Sequence, residues 1–360
     1  MYLIVTRSFP PDSGGMQSLM WGLTNTISKN YMVKVFADES DKNKDIDKSV
    51  SFSIERIGGP KIIRKYRKAY LVNDFLKNNK NINGIIADHW KSLELINTNK
   101  KKICLIHSKE INHQKGSLLN KRVLKVLNNV DYVVSNSQFT KNLAINCGVD
   151  NEKIIVINPG VEPLKEIDPK SLEEAENLFQ NKSPRLITVS RFEKRKNHEK
   201  IIMSLRNLKQ LYPNIFYVCI GYGEEEENIK NLVKELNLEN HVLFLKNITQ
   251  ELKNALLAKS NVFVMPSILY KKSVEGFGIA YIEAAQHGLP SIGGKDGGEA
   301  DAIKHNETGL ICDGNKLEEI YSSIDLILKN NSYKNFINKT KEFAKKFEWD
   351  NIIKQYFKIL

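Results

Sequence analysis

Two doubly wound α/β domains, each built on a parallel sheet and facing each other across a cleft, are predicted from three observations. Short apolar runs alternate with longer amphipathic segments along the chain, the pattern of βα units. The alternation starts afresh after "NPGVEPLKEIDP" (158–169), whose turn residues and prolines suit a linker. A length of 360 residues with 41% hydrophobic content provides for two packed cores.

In the first half the apolar runs place strands at Tyr2–Thr6, Met32–Ala37, Ser51–Ile57, Gly84–Ala87, Lys102–His107, Tyr132–Ser135 and Ile154–Ile157. Helices are expected to start near Gly15, Lys61, Ser92, Ser117 and Ser137. The second half repeats the pattern with strands at Arg185–Ser190, Phe216–Gly221, Val242–Leu245, Val262–Met265, Ser291–Gly293 and Gly309–Cys312, each followed by a helical stretch. No solenoid-period repeat is present, and the one biased tract is the lysine-rich loop Asp38–Lys48. Ligands of such sheets bind beyond the carboxyl ends of strands, so the loops after strands carry the functional reading.

A formal net charge of +12 calls for an anionic partner. It is concentrated in "KIIRKYRKAYLVNDFLKNNK", Lys61 to Lys80, with seven basic residues and one acid. There Arg64, Lys65, Arg67 and Lys68 flank Tyr66 and Tyr70, a pattern that fits either a helix lying on anionic lipid or a solvated lysine-rich face. A nucleic-acid-binding reading finds no interleaved aromatic and basic strands to support it. No run is long enough for a membrane span, and "MYLIVTRSFPPDSGG" enters as a strand without signal-peptide features, so a cytoplasmic location is expected. Cys104, Cys147, Cys219 and Cys312 are scattered, which suits reduced core thiols.

Several loops have residues that suit chemistry. Gly14 and Gly15 follow the first strand, where they either let an anion approach the backbone or form a plain turn. Arg191 and Lys196 follow the strand "RLITVS", where they can neutralise a diphosphate leaving group or simply be solvated. Glu224–Glu227 read as the solvated first turn of a helix. His107, at a strand end, can bond a sugar hydroxyl or be structural. The weak D-x-D at Asp45-Ile46-Asp47 lies in a polar loop and is discounted, and no zinc or serine-esterase motif occurs.

The stretch "SVEGFGIAYIEAAQHGLPSIGG" (273–294) has the strongest pattern. It places Glu275 in a loop and Glu283 about two turns inside the helix that follows. The N–H groups near Phe277, Gly278 and Ile279 face a bound anion or sugar. Glu275 can then accept from sugar hydroxyls and Glu283 can chelate a ribose diol. Two glutamates on one loop-helix segment fit poorly to a glycosidase, whose carboxyls flank the sugar ring.

With these pieces in order, the chain resembles the family 4 glycosyltransferases, retaining enzymes of the GT-B fold. The resemblance rests on Glu275-x7-Glu283 together with "FPPDSGGMQ", "VSNSQFTKN", "VINPGVE", "VSRFEKRKN", "GLICDG" and the closing "FEWDNIIKQYF". It implies an acceptor-binding domain over 1–162, a nucleotide-sugar domain over 163–345, and a final helix, 346–360, returning to the first domain. By position, Arg191 and Lys196 take the diphosphate, Gly15 beside Gly14 lies under the phosphates, and Glu275 serves the donor sugar. Phe277, Gly278 and Ile279 face sugar and phosphates, Glu283 holds the ribose, Asn247 and Ile248 seat the base, and His107 stands near the reacting centre.

The resemblance further implies a metal-independent hexosyl transfer from a UDP- or GDP-sugar to a saccharide or lipid-linked acceptor, without a cofactor. Such transfers serve bacterial lipopolysaccharide, O-antigen, capsule or glycolipid synthesis at the inner membrane face, so a peripheral location is implied as well. Three positions depart from the family pattern: Ser190 for a glycine before the arginine, Asn197 for one after the lysine, and Gly297-Gly298-Glu299-Ala300-Asp301 for G-G-x-P-E. The rival enzyme is a sugar-nucleotide epimerase on the same architecture; a catalytically dead scaffold is opposed by the intact Glu275, Glu283, Arg191 and Lys196. Lys196→Ala is expected to cut turnover severely at little cost in stability.

Overall fold

The structure, a computed structural model, describes residues 1–40 and 45–360, so part of the lysine-rich loop, 41–44, lies outside the described residues. Two compact units are present, Met1–Glu162 with Phe347–Leu360, and Pro163–Lys346. The first contains β1 (Tyr2–Thr6), α1 (Gly15–Ser28), β2 (Val33–Asp38), β3 (Ser53–Ile57), α2 (Lys61–Asn78) and β4 (Gly84–Ala87). It continues with α3 (Trp90–Leu93), β5 (Lys101–Ile106), α4 (Leu118–Leu127), β6 (Tyr132–Ser135), α5 (Gln138–Cys147) and β7 (Ile154–Val156).

The second unit begins with α6 (Pro169–Phe179), β8 (Arg185–Val189), α7 (His198–Leu211), β9 (Phe216–Ile220), α8 (Glu226–Glu235) and β10 (Val242–Leu245). There follow α9 (Gln250–Ala258), β11 (Val262–Met265), α10 (Ile279–Gln286), β12 (Ser291–Gly294) and α11 (Glu299–Ala302). Then come β13 (Gly309–Cys312), α12 (Leu317–Leu328) and α13 (Ile337–Lys345), and α14 (Trp349–Tyr356) belongs to the first unit again.

Both sheets are parallel, ordered β3-β2-β1-β4-β5-β6-β7 and β10-β9-β8-β11-β12-β13. In each, the order reverses beside the first strand of the unit, and the loops there are the expected ligand loops. Strands β1, β4, β9 and β11 are buried at every position, which explains why they read as unbroken apolar runs: helices cover both faces. Helix starts are fixed locally. Ser117, Ser137, Asp168 and Thr249 accept from the backbone N–H groups of Asn120, Thr140, Ser171 and Leu252. The four cysteines are free and buried.

Each expected strand is present, with ends displaced by at most two residues. The helix expected from Ser92 is only a single turn, Trp90–Leu93, started by His89, whose ring accepts from Lys91 N. Helix α8 starts at Glu226, so Glu224 and Glu225 precede it; Glu226 pairs with Lys230 at 2.7 Å. Asp47 of the discounted D-x-D holds Arg56 at 2.6 Å.

The basic helix needs correction. Lys68 is buried and gives its protons to Thr6 O and Asp38 Oδ1, and Lys65 pairs with Glu94. Arg64 donates to Gly59 O and Arg67 to Gly58 O. Of the four expected cations only Arg67 stays exposed, and beside it α2 exposes the large apolar residues Ile62, Ile63, Tyr66 and Tyr70, between 52% and 81% accessible. Among the described residues no helix is long and apolar enough to cross a membrane.

Candidate active site

The site in the second unit is built from the loop after β8. Beyond Val189 the chain buries Phe192 and makes one 3-10 turn, Lys194–Lys196. That turn ends on Asn197 at φ 64, the left-handed region that asparagine tolerates better than most residues. The Asn197 amide is buried and donates to Pro266 O at 2.9 Å and Gly314 O at 2.7 Å. Asparagine therefore does more here than the glycine usual in the family: it takes the same conformation and ties the loops after β8, β11 and β13 together.

Lys196, directed inward by this turn, donates to the Oε2 atom of Glu275 and approaches Met265 Sδ at 3.4 Å. Arg195 reaches the same oxygen with Nη1 at 2.8 Å, and its Nε is held by Glu193 at 2.9 Å. Arg195 is a candidate-site residue that the sequence reading did not single out. The run "RFEKRK" offers four cations, Arg191, Lys194, Arg195 and Lys196, and nothing in their spacing says which of them face Glu275. Arg191, chosen from sequence, is largely exposed and lies 3.4 Å from Glu193. It is an exposed cation, while Arg195 and Lys196 both meet Glu275 directly.

Burial alone would raise the Glu275 carboxyl, but Lys196 and Arg195 outweigh it and hold it at about 2. Burial and Arg195 push Lys196 down from its ordinary value, against the pull of Glu275. A second carboxyl was not foreseen: Glu299, first residue of α11, is fully buried and neither oxygen has a hydrogen-bond partner. Burial, then the negative charge of Glu275, raises it well above the carboxylate range, which favours its protonated form. His198 beneath the loop is pushed to about 3 by burial and then by Lys196.

These shifts have opposite signs in stability. Glu275 titrates below its unfolded value, so its contribution is present above about pH 4.5 and is lost as pH falls toward 2. Glu299 keeps its proton longer folded than unfolded, so stability falls as pH rises above 4.5. Glu299→Gln removes that decline. Urea unfolding is expected to give the variant a growing advantage over the wild type between pH 5 and pH 8; a constant difference would mean that Glu299 is ionised when folded.

Helix α10 starts at Ile279 rather than at Phe277, so Glu283 is its fifth residue, a little over one turn inside rather than two. Gly278 precedes it at φ 92, where a Cβ would lie 2.4 Å from the Tyr281 ring. Both the backbone angle and the space demand glycine there. Phe277 is buried, so this segment can present its backbone rather than its aromatic ring. Glu283 Oε1 accepts from Lys253 Nζ of α9 at 2.7 Å. Asn247, exposed at φ 55, and Ile248 form the loop after β10 and lead into α9.

The structure thus brings Lys196 and Glu275 into direct contact, with Arg191 and the Phe277–Ile279 segment on the adjoining loops. Gly14, Gly15 and His107 belong to the first unit. Gly14 precedes α1 and both glycines are exposed. The ring of His107 lies 3.2 Å from Asp88 O, and its backbone N–H donates to Glu110 at 2.5 Å.

The family model for glycosyl transferases group 1 matches residues 169–345, and that for glycosyltransferase family 4 matches residues 13–165. A GDP-mannose-dependent alpha-(1-6)-phosphatidylinositol monomannoside mannosyltransferase of Mycolicibacterium smegmatis is 22% identical over 345 residues, 91% of this chain and 88% of that protein. The amylovoran biosynthesis glycosyltransferase AmsK of Erwinia amylovora is 26% identical over 73% of this chain and 64% of its own length. Among solved structures, Anabaena HepE in complex with UDP superposes with a TM-score of 0.84 at 17% identity, over 99% of this chain and 98% of that one. The chain belongs to the group 1, family 4 glycosyltransferases and has the GT-B fold.

Proposed function

We infer that the chain transfers a hexosyl group, with retention, from a UDP- or GDP-sugar to a saccharide or lipid-linked acceptor in bacterial surface polysaccharide or glycolipid synthesis. The observation that carries this reading is the Lys196–Glu275–Arg195 cluster at the carboxyl edge of β8 and β11. A bound diphosphate would give Lys196 and Arg191 an anion whose charge grows as the glycosidic bond breaks. Glu275 holds Lys196 in place, and its Oε1 remains to accept from a sugar hydroxyl. Glu283, steadied by Lys253, suits the ribose diol, with Asn247 and Ile248 at the base. No step in this scheme is assigned to a metal or cofactor. Support for a nucleotide-sugar donor comes from the mannosyltransferase and UDP-bound relatives.

A thermal-shift screen with UDP-, GDP- and ADP-hexoses tests the reading. One of the first two is expected to raise the melting midpoint with saturation, by about 2.7 kcal/mol of added stability at a hundred times its Kd. Silence towards all three would remove the donor assignment.

A lipid-linked acceptor also explains the outward face of α2. Exposed Ile62, Ile63, Tyr66 and Tyr70 beside Lys61 and Arg67 match an interfacial helix, with aromatic rings at headgroup level and cations toward anionic lipid. Co-sedimentation with anionic liposomes is expected to drop at least tenfold in Ile62→Glu/Tyr66→Glu. Retained binding would exclude this face.

A further inference from the structure

We propose that Arg7, His89 and Lys91 form an anion site in the first unit that takes a phosphate group of the acceptor. The inference rests on the glycosyltransferase reading only in naming the ligand an acceptor.

Sheet register brings these residues together. Val5 of β1 pairs with Ala87 of β4, and Ala87 with Cys104 of β5. Arg7 and His89 each stand two residues beyond a paired position, at the carboxyl edge where doubly wound sheets bind ligands. Buried Asp88 fixes the arrangement. Its Oδ2 accepts from Thr6 Oγ1 at 2.8 Å, Arg7 N at 2.8 Å and Ser8 N at 3.2 Å, while Oδ1 accepts from Ser92 Oγ at 3.1 Å. The backbone of Arg7 is thereby pinned to the turn that contains His89 and Lys91.

What distinguishes this group is that its charges are not neutralised. Neighbouring cations have partners: Lys65 and Arg122 share Glu94, and Lys68 and Arg64 share Asp38. Among the described residues, no ion pair or hydrogen bond reaches the Arg7 guanidinium or the Lys91 ammonium; Lys91 rests over the Trp90 ring at 5.3 Å. Nearby carboxylates are already engaged: Asp88 by N–H and O–H donors, Glu110 by His107 N, and Glu94, whose charge also acts on Lys91, by Lys65 and Arg122.

His89 completes the set. Its Nδ1 accepts from Lys91 N at 2.9 Å, which puts the ring proton on Nε2 and leaves that atom free to donate. Burial first, then the charges of Arg7 and Lys91 and the rings of His107 and His113, hold the imidazole at about 2, so it stays neutral. A guanidinium fork, an ammonium and an imidazole N–H are the donors that a phosphate mono- or diester takes.

The test is a titration of the full chain, with 15N-labelled histidine, by inorganic phosphate against chloride at matched ionic strength. The His89 ring signals are expected to move to saturation, and the half-saturating concentration to rise tenfold or more in Arg7→Gln/Lys91→Gln. Arg7→Lys/Lys91→Arg, which keeps the charges, is expected to regain part of the affinity and controls for misfolding. No movement in the wild type, or an unchanged response in the neutral variant, overturns the site. A soluble glycerophosphoryl sugar and the same headgroup in neutral-detergent micelles form two further arms. Saturation by the soluble diester supports the site, and a response confined to micelles overturns it in favour of surface adsorption. If phosphate saturates the wild type while no nucleotide sugar shifts its melting, the anion site stands and the transferase reading falls.

Discussion

Lys196→Ala is expected to lower turnover by about 10²–10³-fold, the usual loss when one preorganised donor to a developing negative charge is removed. Stability is expected to fall as well, which corrects the expectation from sequence. Lys196 is buried, and its loss leaves the Glu275 carboxylate with Arg195 as its remaining cation among the described residues. Stripping one partner from a buried ionic group costs up to about 3–5 kcal/mol; with Arg195 retained, about 1–3 kcal/mol is expected. Adding Glu275→Gln should return part of that stability and none of the activity, because the charge needing compensation is gone. Steady-state rates with the donor found in the thermal screen, beside urea unfolding of the single and double variants, measure both effects. Turnover within a few-fold of the wild type would end the diphosphate assignment.

The fold was legible because its signals are local. Apolar runs such as "LIV" after Tyr2 or "VFVM" at β11 are buried on both faces, and Ser, Asp or Thr stands at the start of the helices they cap. The pair of glutamates was legible by spacing. The cation network around them was not, because Arg195 and Glu275 are 80 residues apart and meet only when β8 and β11 pair. Glu299 was missed for a related reason: nothing in "GGEAD" says that its carboxyl enters the core without a partner.

Helix α2 shows a different failure. Its cations were read as a surface charge, but Arg64 and Lys68 are four residues apart and share one face, which Asp38 turns inward. Ile62, Tyr66 and Tyr70 are also four apart and occupy the outward face. The inward face is apolar further along the helix, where Ala69 and Val72 are buried and Phe75 and Leu76 pack on the core, so Lys68 enters with that face and meets Asp38 there. The same logic favours Asn197 over glycine, since its amide finds two carbonyls that no sequence distance brings near.

Trp349→Ala is expected to cost about 3–5 kcal/mol, the range for removing a buried large aromatic, and to loosen α14 from the first unit. Trp349 is 3% exposed, and its backbone N–H donates to Val161 O at 3.1 Å. Two glycines make room for the indole: a Cβ on Gly22 of α1 would lie 2.0 Å from Nε1, and one on Gly160 would lie 2.5 Å from Cδ2. Glycine inside a helix costs up to about 1 kcal/mol relative to alanine, so its presence at 22 is explained by this contact. Gly22→Ala alone should therefore destabilise, by about 1–3 kcal/mol through overpacking. Combined with Trp349→Ala, which empties the space, the same alanine should become neutral or stabilising. Urea unfolding of the two single variants and the double variant measures the coupling; additive losses would show that α14 is held by its flanking Ile352, Ile353 and Tyr356 rather than by the tryptophan between two glycines.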